Sequence, residues 1–284
     1  MINNFYYINL SHRTDRNKNI QHIAKSLTNP TSLPIKIQRV EAVNGRELDI
    51  QNISSDILTD RGKADAINNK QKVYVPLTRG GVGCALSHKN TYHKIISDGV
   101  EAGLILEDDI HIKHLDKFIK KLNYLVSMAP KDFDILYLGY HDTSIKHIYN
   151  QVNDFYSKSN FVYGLFGYVV TNKGAQKLLR IFPISEQIDT EISYNFAKPS
   201  NNKNNQIIAY LVNPNERIIF SDQSSTTTEF GTDIQIREAE HIETMDGVAE
   251  SWLSPIYIVA ICIIIYLLFL SIKTKCFFKN FCYK

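Results

Sequence analysis

Cysteine is scarce in this chain and poorly placed for cross-linking. Of four in 284 residues, Cys262, Cys276 and Cys282 crowd into the C-terminal tail, leaving Cys84 alone in the body. Residues 1–251 therefore hold no disulfide framework, which fits a reducing compartment. Met1 to Leu10 has neither a basic start nor a long apolar run, so no secretory leader is expected. A dominant charge is missing as well. The formal net charge is +3, but four of the 32 basic residues, Lys273, Lys275, Lys279 and Lys284, follow the last acid, Glu250. The chain before them is close to neutral, with 28 basic against 29 acidic residues. The basic stripe of a nucleic-acid binder is absent, and no nucleic-acid partner is expected. Internal repeats are absent too.

What is present suffices for a packed core. Hydrophobic residues make up 44% and charged residues 21%, ordinary values for a globular chain. The length suits one good-sized domain with an appendage. The appendage is Leu253 to Ile272, 20 residues without a formal charge. As a helix it would reach roughly 30 Å, the hydrocarbon thickness of a bilayer. Trp252 and Tyr257 at one edge and lysines beyond the other are the anchors such a span requires. The expected plan is a domain over 1–220, a stalk over 221–252, a transmembrane helix over 253–272 and a basic tail over 273–284. Insertion by the tail would leave residues 1–251 in the cytosol as a single-pass, C-terminally anchored protein. The lysine tail by itself argues for the opposite orientation.

Within the domain, apolar spacing predicts strands at Phe5–Leu10, Ile35–Val43, Val73–Pro76, Leu104–Leu106, Phe133–Leu138, Phe161–Val170 and Gln206–Val212. It predicts helices at Thr14–Leu27, Cys84–Ser97, Leu115–Val126 and Lys173–Ile181. Gln51–Gln71 reads as a loop with one short helix, and Gly80, Gly81 and Gly83 as a turn. Alternating strands and helices of this kind indicate an α/β domain.

The chemistry concentrates in Leu104-Ile105-Leu106-Glu107-Asp108-Asp109. A strand buried through its leucines ends in three consecutive acids, which repel one another unless a cation joins them. Acid runs alone are most often solvated loops, but oxygen donors at a strand's carboxyl end suit Mg²⁺ or Mn²⁺ beside a phosphate. Tyr7-Ile8-Asn9-Leu10 followed by Arg13, Asp15 and Arg16 puts two arginines beyond the first strand, where phosphate oxygens would meet a helix start. Ser87, His88 and Tyr92 share the next helix, His88 and Tyr92 on one face at four-residue spacing.

These segments in order resemble glycosyltransferase family 25, which includes lipooligosaccharide and collagen galactosyltransferases. The matching residues are Tyr7 to Leu10 with Arg13, Asp15 and Arg16; Arg39 to Gly45; Gly83-Cys84 with Ser87-His88; Leu104 to Asp109; Phe133 to Gly139; and Tyr163 to Leu179. The resemblance covers roughly residues 5–220. It implies a GT-A type fold, a Rossmann-like sandwich around a mixed central sheet. It also implies transfer of galactose from UDP-galactose to a hydroxyl of a glycan or protein acceptor, with inversion. On that basis Glu107 and Asp109 are the expected ligands of Mn²⁺ or Mg²⁺, and Asp108 contacts the ribose or a nearby water. Asn9, Leu10, Arg13, Arg16, Ser87 and His88 are the expected donor-binding residues. Inversion needs a base to deprotonate the acceptor, for which Asp189 is the first candidate and Glu191 the second. Two departures stand out: Arg79 and Gly80-Gly81 replace the acids usual before the Gly-Cys pair, and the anchor is C-terminal.

Two other readings share some of these features. A sugar nucleotidyltransferase should carry a glycine-rich loop after its first strand, whereas Asn9 to Arg16 contains no glycine. A catalytically silent, membrane-anchored carbohydrate-binding or interaction module is separated only by assay.

Overall fold

The computed structural model describes residues 1–28, 34–68, 76–196 and 206–221. The candidate membrane helix, the basic tail and residues 222–252 of the stalk lie outside the described residues, as does most of the strand expected at Val73–Pro76. Among the described residues no helix is long and apolar enough to cross a membrane.

The elements run β1 (Asn4–Asn9), α1 (Thr14–Thr28), β2 (Lys36–Glu41), α2 (Asp60–Asn68), α3 (Arg79–Ser97), β3 (Ala102–Leu106), β4 (Ile110–Ile112), α4 (Phe118–Met128), β5 (Ile135–Tyr137), β6 (Ile148–Gln151), β7 (Tyr156–Ser159), β8 (Gly167–Thr171), α5 (Asn172–Leu179), α6 (Ile188–Tyr194), β9 (Ala209–Val212) and β10 (Ile219–Ser221). Eight strands form one mixed sheet in the order β2-β1-β3-β8-β5-β9-β7-β6, and β10 pairs with β4 separately. β1 lies parallel to both β2 and β3, with Tyr7 opposite Arg39 on one side and Leu106 on the other. β8 enters antiparallel between β3 and β5, setting Gly167 beside Leu106. The α/β class and the mixed central sheet are therefore as expected.

Strand burial explains the sheet. Phe5, Tyr6, Tyr7 and Ile8 are all buried, and so are Leu104, Ile105 and Leu106, the continuous apolar pattern of strands covered on both faces. α1 turns Ile20, Ile23 and Leu27 inward at helical spacing, with Asp15 in its first turn and Lys25 in its last, as the helix dipole favours. Each large apolar side chain so buried contributes roughly 1.5 to 3 kcal/mol.

The helix expected from Cys84 begins five residues earlier. Thr78 caps α3 by accepting the Gly81 N–H at 2.9 Å, so the glycines expected to make a turn form the first helical turn instead. Their role is close approach. A Cβ on Gly83 would lie 2.5 Å from the Val43 carbonyl oxygen, and one on Gly45 would lie 1.9 Å from that of Arg79. The start of α3 and the loop after β2 thus meet backbone to backbone. β8 is shorter than the strand expected over Phe161–Val170, because residues 161–166 run as a loop through Gly164 at φ +94°. β4, β6, β7, β10 and α6 were not anticipated: each is three to seven residues long, too short for its periodicity to stand out. Ser221, assigned to the stalk, closes β10 opposite Ile110.

Candidate functional site

Because β1, β2 and β3 are parallel neighbours, their carboxyl ends open along one edge of the sheet, where open α/β sheets place their ligands. Residues at and beyond the end of β1 (Asn9, Leu10, His12, Arg16), after β2 (Ala42 to Glu47) and after β3 (Glu107 to Asp109) line a cleft of about 390 Å³ there. α3 closes it with Gly80, Cys84, Ser87 and His88. The volume is within the range of small-molecule sites, roughly 300 to 1,000 Å³.

The acids are not a solvated loop. Asp108 and Asp109 are 5% and 4% exposed, and Arg16, itself buried on α1, reaches both. Its guanidinium donates to Asp108 Oδ1 at 2.9 Å and stands 3.4 Å from Asp109 Oδ2. The other Asp108 oxygen accepts from Asn9 Nδ2 at 2.7 Å. Asn9 is held in turn by Arg39, whose Nε donates to Asn9 Oδ1 at 3.0 Å. Asp108 is thus fully engaged, whereas Asp109 Oδ1 is buried without a hydrogen-bond partner. Burial, then the neighbouring Glu107 charge, pushes the Asp109 carboxyl up to about 7, with Arg16 opposing. Burial also raises Asp108, again against Arg16.

Beside the acids, His88 bridges two elements. Its Nδ1 is 2.8 Å from the Tyr168 hydroxyl on β8, and its Nε2 is 3.3 Å from Glu107 Oε1. The Tyr168 hydroxyl also meets that of Tyr92, at 3.0 Å. The shared face of His88 and Tyr92 is therefore real, and it points inward to Tyr168. Ser87 accepts the Val43 N–H at 2.8 Å and donates to the Gly83 carbonyl at 2.6 Å, fastening the loop after β2 to α3. Cys84 lines the cleft, and its thiol is pushed well up by burial and then by the Glu107 charge. The donor atoms of Cys84, His88 and Glu107 lie within 4.8 Å of one another.

The fold gathers Asn9, Leu10, Arg16, Ser87, His88, Glu107, Asp108 and Asp109 around one cleft. Arg13 is not among its lining residues, and its guanidinium pairs with Asp15 at 2.8 Å. Asp189 and Glu191 lie outside the lining as well. Asp189, at the start of α6, accepts the Gly164 and Thr190 N–H groups at 3.0 and 2.8 Å, and burial raises its pKa. Glu191 Oε1 accepts the Ser185 and Glu186 N–H groups. Arg39, Tyr168 and Cys84 stand in the family-like blocks but were not among the expected site residues. Cys84 was within reach, since it stands four residues before His88 on the same helical face.

The fold and the cleft define an α/β domain with a buried acidic floor at the carboxyl ends of parallel strands. The chain belongs to glycosyltransferase family 25: the family model described as "Glycosyltransferase family 25 (LPS biosynthesis protein)" matches residues 2–192. It is 27% identical over 190 residues to procollagen galactosyltransferase 1 of Danio rerio, covering 66% of this chain and 30% of that protein. Procollagen galactosyltransferase 2 of Homo sapiens is 29% identical over 192 residues, covering 66% and 29%. A relative named inactive glycosyltransferase 25 family member 3, from Mus musculus, is 29% identical over 182 residues, covering 60% and 28%. The match spans less than a third of the length of these relatives.

Proposed function

We propose that this chain is a metal-dependent glycosyltransferase of GT-A type that moves galactose from UDP-galactose to a hydroxyl on a glycan or protein acceptor, with inversion. The observation that carries the reading is the unpartnered, buried Asp109 oxygen in a cleft where Asp108 and Asp109 share the buried Arg16 and Glu107 adds a third carboxylate. This surplus of negative charge and oxygen donors fits Mn²⁺ or Mg²⁺, with Glu107 and Asp109 as the residues that would hold it. Such an ion supplies charge neutralisation for a departing diphosphate. Asp108, clamped by Arg16 and Asn9, keeps the floor rigid. Arg16 offsets part of the acid charge from below. Asn9, Leu10 and the loop Ala42–Glu47 form the donor side of the cleft. Asp189 is assigned as the base that takes the acceptor proton as the new glycosidic bond forms, with Glu191 second. Its buried, raised carboxyl supports this role.

The same reading carries the domain plan of a cytosolic transferase tethered by residues 253–272, which protease protection in sealed vesicles tests directly. For activity, the purified chain is incubated with Mn²⁺, a panel of nucleotide sugars and candidate acceptors, and the released nucleotide is measured. Acceptor-dependent release of UDP from UDP-galactose is expected. A relative that bears the name inactive supports a second reading, a silent binding module. Under it, UDP with Mn²⁺ raises the melting temperature, as a ligand of the native state must, yet no donor is turned over.

A further inference from the structure

α3 presents Cys84 and His88 one helical turn apart, and the end of β3 brings Glu107 to the same wall of the cleft. A thiol sulfur, a ring nitrogen and a carboxylate oxygen converge there within 4.8 Å. Around a tetrahedral zinc ion with bonds of about 2.0 to 2.3 Å, ligand atoms stand roughly 3.3 to 3.8 Å apart. His88 Nε2 and Glu107 Oε1 are already at 3.3 Å, and small side-chain rotations bring in the sulfur. The His88 ring is also held as a metal ligand requires. Its Nδ1 is fixed by Tyr168, and Tyr168 by Tyr92, so Nε2 faces the cleft. Either hydroxyl of that pair can be the donor. The chain of protons can therefore run toward Nδ1, leaving Nε2–H to donate to Glu107. It can equally run away from Nδ1, leaving the Nε2 lone pair open to an ion, with no heavy atom displaced.

This donor set differs in kind from the acidic floor. Sulfur and imidazole select zinc-type ions, whereas carboxylates alone suit Mg²⁺ or Mn²⁺. We propose that Cys84, His88 and Glu107 form a second metal site, for a zinc-type ion, on the wall of the cleft. The site is independent of the proposed activity. Binding displaces the thiol proton to solvent as sulfur becomes a thiolate ligand. Three protein donors leave one position for water, the arrangement of an open site rather than a structural one.

The test uses the full chain stripped with chelator and titrated with Co²⁺ as a spectroscopic stand-in for zinc. A near-ultraviolet thiolate-to-cobalt charge-transfer band is expected. It should be lost in Cys84→Ser, kept in Asp109→Asn and displaced by Zn²⁺. In the unaltered chain, Zn²⁺ but not Mg²⁺ should protect Cys84 from alkylation, mapped on its peptide, which needs no variant to fold. Cobalt saturation without the band, or a band that survives Cys84→Ser and so belongs to the tail cysteines, overturns the site. So does a band lost in Asp109→Asn, or unprotected Cys84. Transfer that proceeds without Mn²⁺ while the band behaves as expected removes the acidic ion site and leaves this one standing.

Discussion

Replacing Asp109 by Asn should stabilise the metal-free protein, which inverts the usual result of changing a buried, ion-paired acid. The Asp109 carboxyl is pushed from an ordinary 3.8 up to about 7, first by burial and then by Glu107. Between those values the folded protein keeps the proton and the unfolded chain has released it, so stability falls as pH rises toward about 7 and stays low above it. At 1.36 kcal/mol per pH unit the full effect is on the order of 4 kcal/mol. Asparagine removes that cost but weakens the contact to Arg16 at 3.4 Å, leaving a net gain of about 2 kcal/mol. For a domain of this size that is about 4 to 8 °C in melting temperature. The assay is thermal unfolding of parent and variant in chelator at about pH 8 and about pH 5, followed by the same pair with Mn²⁺ and UDP. The variant should melt higher at the upper pH, the gap should narrow at the lower, and Mn²⁺ with UDP should raise the parent only. A variant no more stable than the parent at about pH 8 would refute the claim that Asp109 is held at a cost that a cation relieves.

Arg16→Ala strips Asp108 and Asp109 of their guanidinium and should cost about 3 to 5 kcal/mol in urea unfolding at neutral pH; a loss below about 1 kcal/mol would show another counter-charge at work. Gly83→Ala forces a methyl within 2.5 Å of the Val43 carbonyl and 2.6 Å of the Gly45 nitrogen. A loss of about 1 to 3 kcal/mol is expected, and an unchanged denaturation midpoint would mean the two backbones are not in contact. Asp189→Asn should lower turnover while UDP binding, followed by titration, is unchanged. Burial raises the Asp189 pKa, so parental turnover should climb with pH through a value above the ordinary 3.8, and the variant should lack that limb. Equal turnover in the two would exclude Asp189 as the base.

Much of this site could be read in the sequence because its parts sit at the ends of strongly apolar segments. Phe5 to Leu10 and Leu104 to Leu106 announce buried strands, and whatever follows them must emerge at one edge of a parallel sheet. Asn9, Arg16 and the three acids were therefore legible together. Pairing across the fold was not. Nothing in the local pattern says that Arg39 will clasp Asn9, or that Tyr168 will reach His88 across 80 residues. The start of α3 was misplaced because glycine normally weakens a helix, and the reason for tolerating it here, contact with a distant loop, is visible only in three dimensions. Asp189 shows the same limit: its residue type suggested chemistry, but that Gly164, 25 residues away, would donate its N–H to the carboxylate could not be read locally.

The seam of bare backbone between Gly45 and Gly83, locked by the Ser87 hydroxyl, has a mechanical consequence. The loop after β2 and the first turns of α3 are joined backbone to backbone and by the Ser87 hydroxyl, so they should move as a single rigid jaw. Breathing of the crevice, and with it admission or escape of a bulky occupant, should therefore fall to the lining residues Leu10 and His12, which precede the clamped Arg16.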